Sequence, residues 1–370
     1  MKRQWTKEEA WAWYHAQPWL RGCNFIGSDC CSRIDMWQSF DFEKHMETAE
    51  RELTACEELG FNTVRLIIEF DVWVQEREAF MDHLEQMITA CARHHQKVVL
   101  VLACEAQLCR GEKFIVKPLG EQIYALGYHQ GRFPLTEEEK AMKPYHPLER
   151  AECHDDYLTM VREVVSRYGK DERVLFWNVY NEPGIVLGER AKPLVEELFA
   201  AVRALDPMQP LAADLFMTYK GPGFHNPAEE AAVLNSDIIS WHCYAALEKF
   251  VFQYEFAKSF GRPVMLTEWL NRISHSEVKD IYPFLYANKI ACWCWGFVVG
   301  KTQTHEPWDS LWEQYDREHG NVDYDFTRWQ HDLYRPNLRP YAPHETELIR
   351  RVNTMADARE RGEVINWREL

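Results

Sequence analysis

The chain has 370 residues, 46% hydrophobic and 14% aromatic, with only 17 glycines and 17 prolines. That is material for a packed interior, so a disordered chain is excluded, and one large α/β barrel with its loops and a terminal extension accounts for the length without a second core. A formal net charge of −16 with no basic stripe repels a phosphate backbone, so neither nucleic acid nor an anionic membrane is an expected partner.

The N-terminus "MKRQWTKEEAWAWYHAQPWL" starts basic, but Glu8, Glu9 and His15 interrupt any apolar core and no small-residue cleavage site follows. Without a run of eighteen apolar residues there is no membrane span either, and the expectation is a cytoplasmic protein. A helical piece over 6–17 precedes the first strand. Eight short runs rich in β-branched and aromatic residues then follow, at 21–28, 61–68, 97–104, 174–181, 210–216, 238–245, 263–269 and 291–298. Between them lie amphipathic segments at 43–58, 76–95, 153–168, 192–205, 247–260 and 275–287, several with apolar residues spaced three and four apart. In the first of these, Met46, Ala49, Leu53 and Cys56 share a face, and Gly60 supplies the stop.

Strands alternating with helices argue for parallel βα units, and eight units close most economically into a (β/α)8 TIM barrel with no sheet edge. The reading is a single domain over 1–370, with the barrel core over roughly 20–310 and a C-terminal extension over 311–370 that holds a helix near 344–361. The stretch 105–152 after the third strand is too long for an ordinary connection. It lies on the face where barrel active sites sit and is expected to wall a substrate pocket, with a packing or oligomer insertion as the alternative.

The 11 cysteines are scattered and odd in number. Cys104, Cys243, Cys292 and Cys294 lie in apolar runs, where cysteine acts as a small buried hydrophobe in a reducing compartment. Cys30-Cys31 and Cys292-x-Cys294 lack zinc-ligand spacing, so no metal and no cofactor are expected. The 15 tryptophans fit two uses, barrel packing and stacking on the C–H face of a sugar.

Polar residues at strand C-termini are where a barrel keeps its chemistry. Two carboxylates stand out, Glu182 in "WNVYNEPG" after the fourth strand and Glu268 in "VMLTEW" after the seventh. A pair of carboxyls across one pocket is the minimum equipment for cleaving a glycosidic bond.

These segments resemble glycoside hydrolase clan A, the barrel superfamily that contains the family 5 cellulases and mannanases. Asn-Glu-Pro after the fourth strand and Thr-Glu after the seventh are similar to that clan's signatures. So are Arg65 in "NTVRLII", His242 and Tyr244 in "SWHCYA", and Trp295 in "CWCWGF". The resemblance covers roughly 20–310 and implies a retaining β-glycoside hydrolase working by double displacement. It implies Glu182 as acid/base, with a raised pKa, and Glu268 as nucleophile, kept ionised by Arg65 and oriented by Tyr244. Asn181 is then expected to donate to a sugar 2-hydroxyl, His242 to bind substrate or buffer a proton, and Trp295 to floor the sugar subsite.

Trp37 in "DMWQ" and Lys301, Gln303 and Trp308 in "GKTQTHEPW" are further pocket candidates. The third strand ends in "ACEAQLCRG", where Glu105 is a candidate third carboxylate. The expected substrate is a short β-linked oligosaccharide or glycoside attacked at a chain end. A homo-oligomer is left open, and a catalytically inactive sugar-binding barrel or a transglycosidase of the same clan are the alternatives. A metal-dependent barrel hydrolase fits less well, because no His-x-His follows the first strand.

Overall fold

All eight apolar runs are strands in the structure, a computed structural model that describes residues 3–105, 108–111, 116–123, 129, 136–308, 310–311 and 327–363. They are β1 Arg21–Asn24, β2 Thr63–Ile67, β3 Lys97–Val101, β4 Val174–Tyr180, β5 Leu211–Leu215, β6 Ile239–His242, β7 Val264–Trp269 and β8 Ala291–Cys294. Each pairs in parallel with its sequence neighbour and β8 returns to β1, with Cys23 opposite both Val64 and Cys294, so the sheet is a closed (β/α)8 barrel.

Among the described residues, the helices of eight or more residues are α1 Lys7–His15, α2 Phe42–Leu59, α3 Arg77–Arg93, α4 His154–Tyr168, α5 Ala191–Ala204, α6 Pro227–Asn235, α7 Leu247–Lys258, α8 Val278–Ala287 and α9 Pro343–Glu360. Only α6 was not expected. Its Ala-rich sequence "PAEEAAVLN" has little contrast between faces, but its start is written locally: the Asn226 side chain accepts from the Ala228 amide and Pro227 opens the first turn. Among its described residues, the connection after β3 contains one small antiparallel pair, Cys109–Arg110 with Pro144–Tyr145. Much of the wall expected over 105–152, and residues 312–326 and 364–370 of the tail, lie outside the described residues.

Two hydrophobic clusters divide the interior. The larger fills the layer between barrel and helices. The smaller holds Val99, Phe176, Ala212, Met265 and Trp293 from the lower halves of the strands, together with Ala10 and Tyr14 of α1. Tyr14 bonds both the Lys289 carbonyl and the Ala291 amide (3.0 Å), so the N-terminal helix stoppers the end of the barrel opposite the mouth. Above this plug the lining turns polar: Asn178, Asp214, Ser240 and Thr267 are fully buried. Buried polar groups must satisfy one another. Here Asn178 Nδ2 donates to Asp214 Oδ1 at 2.7 Å, and Ser240 Oγ bonds both Asp214 and Thr267.

Two register shifts aim the strand ends. β7 gains one residue against both neighbours, because Trp241 faces Leu266 while His242 faces Glu268, and Cys292 faces Leu266 while Cys294 faces Trp269. β4 gains one against β5 between Asn178 and Tyr180. A bulge re-aims the side chains that follow it, and the glutamates follow these two.

Candidate active site

Arg65 on β2 is the hub. Its guanidinium is fully buried and its donors are divided among four strand ends: Glu268 Oε1 at 2.9 Å, Asn24 Oδ1 at 2.6 Å, Asn181 Oδ1 at 2.6 Å and Asp214 Oδ2 at 3.3 Å. A buried cation is tolerable only when paired and hydrogen-bonded. The planar fork of arginine reaches acceptors that a lysine point charge would not.

Glu268 ends β7 with one oxygen on Arg65 and the other on Tyr244, whose hydroxyl donates at 2.7 Å. Burial pushes its pKa up and the neighbouring Glu182 adds to this, while His242, Arg65 and Tyr244 pull the other way. Glu268 is the more deeply buried of the two carboxylates, with side-chain exposures of 7% and 20%.

His242 lies between the carboxylates. Its Nδ1 is 2.8 Å from Glu182 Oε1 and 3.4 Å from Glu268 Oε2, and its Nε2 is 3.3 Å from Asp214 Oδ2. Burial opposes the charged ring, but Glu268 and Asp214 outweigh it and carry the pKa up to about 10. Asp214 is buried too, yet His242 and Arg65 hold its carboxyl well below the usual range. The surrounding carboxylates therefore favour the protonated imidazole. One oxygen from each glutamate and a His242 nitrogen all lie within 4.8 Å of one another. Such a set is of the kind that can hold a metal ion, and the Arg65 guanidinium already brings positive charge to Glu268.

Glu182 departs from the strand. Its φ of 46° is left-handed, a conformation that costs a residue with a side chain on the order of 1–3 kcal/mol unless its surroundings impose it. Asp214 Oδ2 accepts its amide at 3.3 Å. The next turn needs Gly184 at φ 86°, where an added Cβ would fall 1.9 Å from Asn226 Nδ2.

The family model Cellulase (glycosyl hydrolase family 5) matches residues 22–298, three quarters of the chain. The chain belongs to glycosyl hydrolase family 5. It is accordingly a clan A enzyme, a retaining hydrolase of O-glycosyl bonds. No curated protein sequence matches it.

Solved structures share the fold at low identity. GH5_18 from Streptomyces cattleya in complex with GlcNAc aligns at TM-score 0.55 and 14% identity, over 94% of this chain and 81% of that one. The endo-beta-1,4-mannanase from Thermotoga petrophila aligns at TM-score 0.54 and 15% identity, over 95% and 79%. The exo-beta-1,4-mannosidase Op5Man5 from Opitutaceae bacterium strain TAV5 aligns at TM-score 0.54 and 14% identity, over 91% and 60%.

Of the residues singled out in the sequence, the family 5 barrel gathers Arg65, Asn181, Glu182, His242, Tyr244 and Glu268 into one network. Trp295 is half-buried just past β8, its amide on the Trp269 carbonyl at 2.8 Å. Trp308 meets the Tyr244 ring edge to face at 5.0 Å. Trp37 is placed elsewhere: it is 0% exposed, its indole nitrogen donates to the Ile67 carbonyl at 2.8 Å and its ring packs on Phe80, so no sugar reaches it. Lys301 is exposed, with its amide on Ser28 O at 2.9 Å, and Gln303 is buried in a left-handed turn.

Glu105 is buried and faces the turn after β4 rather than the pocket. Three residues escaped the sequence reading. Asp214 was legible only as one acid in the apolar run "PLAADLF". Asn24 looked like an ordinary strand residue. His331 comes from the tail and packs on Tyr244 at 5.5 Å and on Trp308 at 5.6 Å.

Proposed function

We propose that the enzyme cleaves β-linked glycosides by double displacement with Glu268 as nucleophile and Glu182 as acid/base, acting on short substrates from a chain end. The observation that carries this reading is the approach of the two carboxylates, with an oxygen of each inside 4.8 Å of the other. Carboxyls about 5–5.5 Å apart suit direct attack by one of them, whereas about 6.5–9.5 Å leaves room for a water.

The roles follow from the surroundings. Glu268 has Arg65 and Tyr244 to favour and orient its charged form. Glu182 is the more open carboxylate and has His242 as its polar partner, which suits a group that must donate a proton and later accept one from water. The Asn181 side-chain oxygen accepts a hydrogen bond from Arg65. Among the described residues no acceptor takes its amide nitrogen, which leaves that end for a sugar 2-hydroxyl. Trp295 serves as a platform and Trp308 with His331 as a side wall. That wall supports action at a chain end.

The tail belongs to the same catalytic domain in this reading. Asn353 of α9 accepts from Tyr282 and donates to the Leu59 carbonyl, and Arg272 forks onto Glu345. The ten cysteines other than Cys109 form no disulfide with one another, which supports a reducing compartment. No described helix is long and apolar enough to cross a membrane.

The test is a panel of aryl β-glycosides and short oligosaccharides, with the anomeric form of the first-formed product read by NMR and a 2-deoxy-2-fluoro glycoside used to trap the intermediate. Turnover with retention and a label on Glu268 is the expected result. Label on another residue would overturn the role assignment. Sugar affinity without turnover would favour the inactive binding barrel, and product dominated by glycosyl transfer would favour the transglycosidase.

A further inference from the structure

β3 and β4 remain paired beyond their last regular residues. Cys104 bridges Asn181 in parallel, and the Asn181 amide donates to the Ala103 carbonyl at 2.8 Å. The next residue on each chain is a glutamate, Glu105 beside Glu182. Glu182 stands at the pocket, whereas Glu105 is 0% exposed and surrounded by donors. Its Oε1 accepts from Tyr180 Oη at 3.1 Å and the Gly184 amide at 2.7 Å; its Oε2 accepts from the Val186 and Leu187 amides, each at 2.8 Å.

A buried carboxylate facing three backbone amides and a hydroxyl fixes the shape of the backbone that presents them. The backbone it grips begins two residues after Glu182. The Gly184 carbonyl is held as well, by Asn226 Nδ2 at 3.1 Å, so the turn is clamped at both ends. A left-handed glutamate persists only where its surroundings over-determine it, and these contacts are the ones that do so on the C-terminal side.

We propose that Glu105 is the positioning residue for the acid/base carboxyl: it ties down the turn over 184–187, holds Glu182 in its left-handed conformation and thereby sets the place where the proton is delivered to the departing oxygen. This rests on Glu182 being the acid/base. Glu105 itself touches no substrate. An anchored turn matters for proton transfer more than for nucleophilic attack, because a general acid works only within hydrogen-bond reach of the leaving oxygen, while Glu268 is held from other strands.

The experiment compares wild type with Glu105→Gln, which keeps size but turns a carboxamide NH2 donor toward backbone amides that need an acceptor. Two reactions are measured on each protein. One is the rate at which a dinitrophenyl 2-deoxy-2-fluoro glycoside labels Glu268, where the leaving group needs no proton. The other is kcat/KM on a substrate with an unactivated sugar or alkyl leaving group, followed across pH. The expected result is labelling within a few-fold of wild type and a loss of about 10²-fold on the unactivated substrate, with a changed alkaline limb in its pH profile.

Equal loss in both reactions, or no loss in either, would overturn the proposal. If Glu105→Gln does not fold, Tyr180→Phe removes one of the four donors and keeps the ring. The same selectivity at smaller size supports the proposal, and an unselective or absent loss overturns it. Failure of the underlying function is told apart by the wild type, which would then show no turnover or no label on Glu268.

Discussion

The ends of β4 and β7 solve the same problem in opposite ways. At β7 the backbone continues as a strand through Glu268 to Trp269, and the carboxylate is fixed through its side chain by Arg65 and Tyr244. At β4 the strand stops at Tyr180, and Glu182 is fixed through its backbone: Asp214 takes its own amide and Glu105 the amides just beyond. A group held by its side chain keeps one charge state and one position. A group held by its backbone keeps position while its carboxyl exchanges protons with substrate and water. The contrast matches a nucleophile and an acid/base, and it can be broken or sharpened by substitution.

The largest effect is expected when each carboxyl is converted to an amide. Glu268→Gln removes the group that forms the covalent intermediate, so activity should fall by roughly 10⁴-fold or more on every substrate, whatever its leaving group. Glu182→Gln should cost about 10²–10⁴-fold on sugar leaving groups and far less on dinitrophenyl glycosides, whose departure needs no proton. The check is kcat/KM over a leaving-group series. A steep dependence in Glu268→Gln with a flat one in Glu182→Gln would reverse the roles.

Arg65 comes next, because it serves the β7 side and the base of the β4 side together. Arg65→Met leaves the carboxylates of Asp214 and Glu268 buried without their fork, and breaking a buried pair in this way costs about 3–5 kcal/mol. Urea unfolding should show that loss, with a fall in kcat that exceeds any rise in KM. Unchanged stability would mean that the network rests on His242 instead.

How much of this was legible in the sequence depends on range. The strands were legible because each is a local run of β-branched and aromatic residues, and Glu182, Glu268, Arg65, His242 and Tyr244 because each sits at the end of one or on it. Asp214 was not legible, since what makes a buried aspartate functional is its contact with Arg65, 149 residues away, and with His242. Nor was the work of Glu105, whose partners are amides that any sequence could supply. Trp37 misled because "DMWQ" follows β1 in the chain, while its indole faces the helical layer beside Phe80. The sequence records where a strand ends but not toward which side a loop residue turns.

The smallest expected effect tests whether His242 is a cation between the two glutamates. Its pKa rises from an ordinary value near 6.5 to about 10 in the folded chain, so above pH 6.5 the folded state keeps a proton that the unfolded state has released. Stability from this proton is complete below about 6.5 and is lost as pH climbs toward 10. Over pH 6.5 to 8, one proton carries at most about 2 kcal/mol. Burial also raises the thiols of Cys91 and Cys292, and they add their own loss as unfolded cysteine ionises near 8.5. The reading is therefore confined to the lower window and taken as the difference between wild type and His242→Asn. Wild type should lose urea resistance across that window by up to about 2 kcal/mol more than the variant. Parallel slopes would mean that the ring is neutral and that Arg65 alone supplies the positive charge facing Glu268.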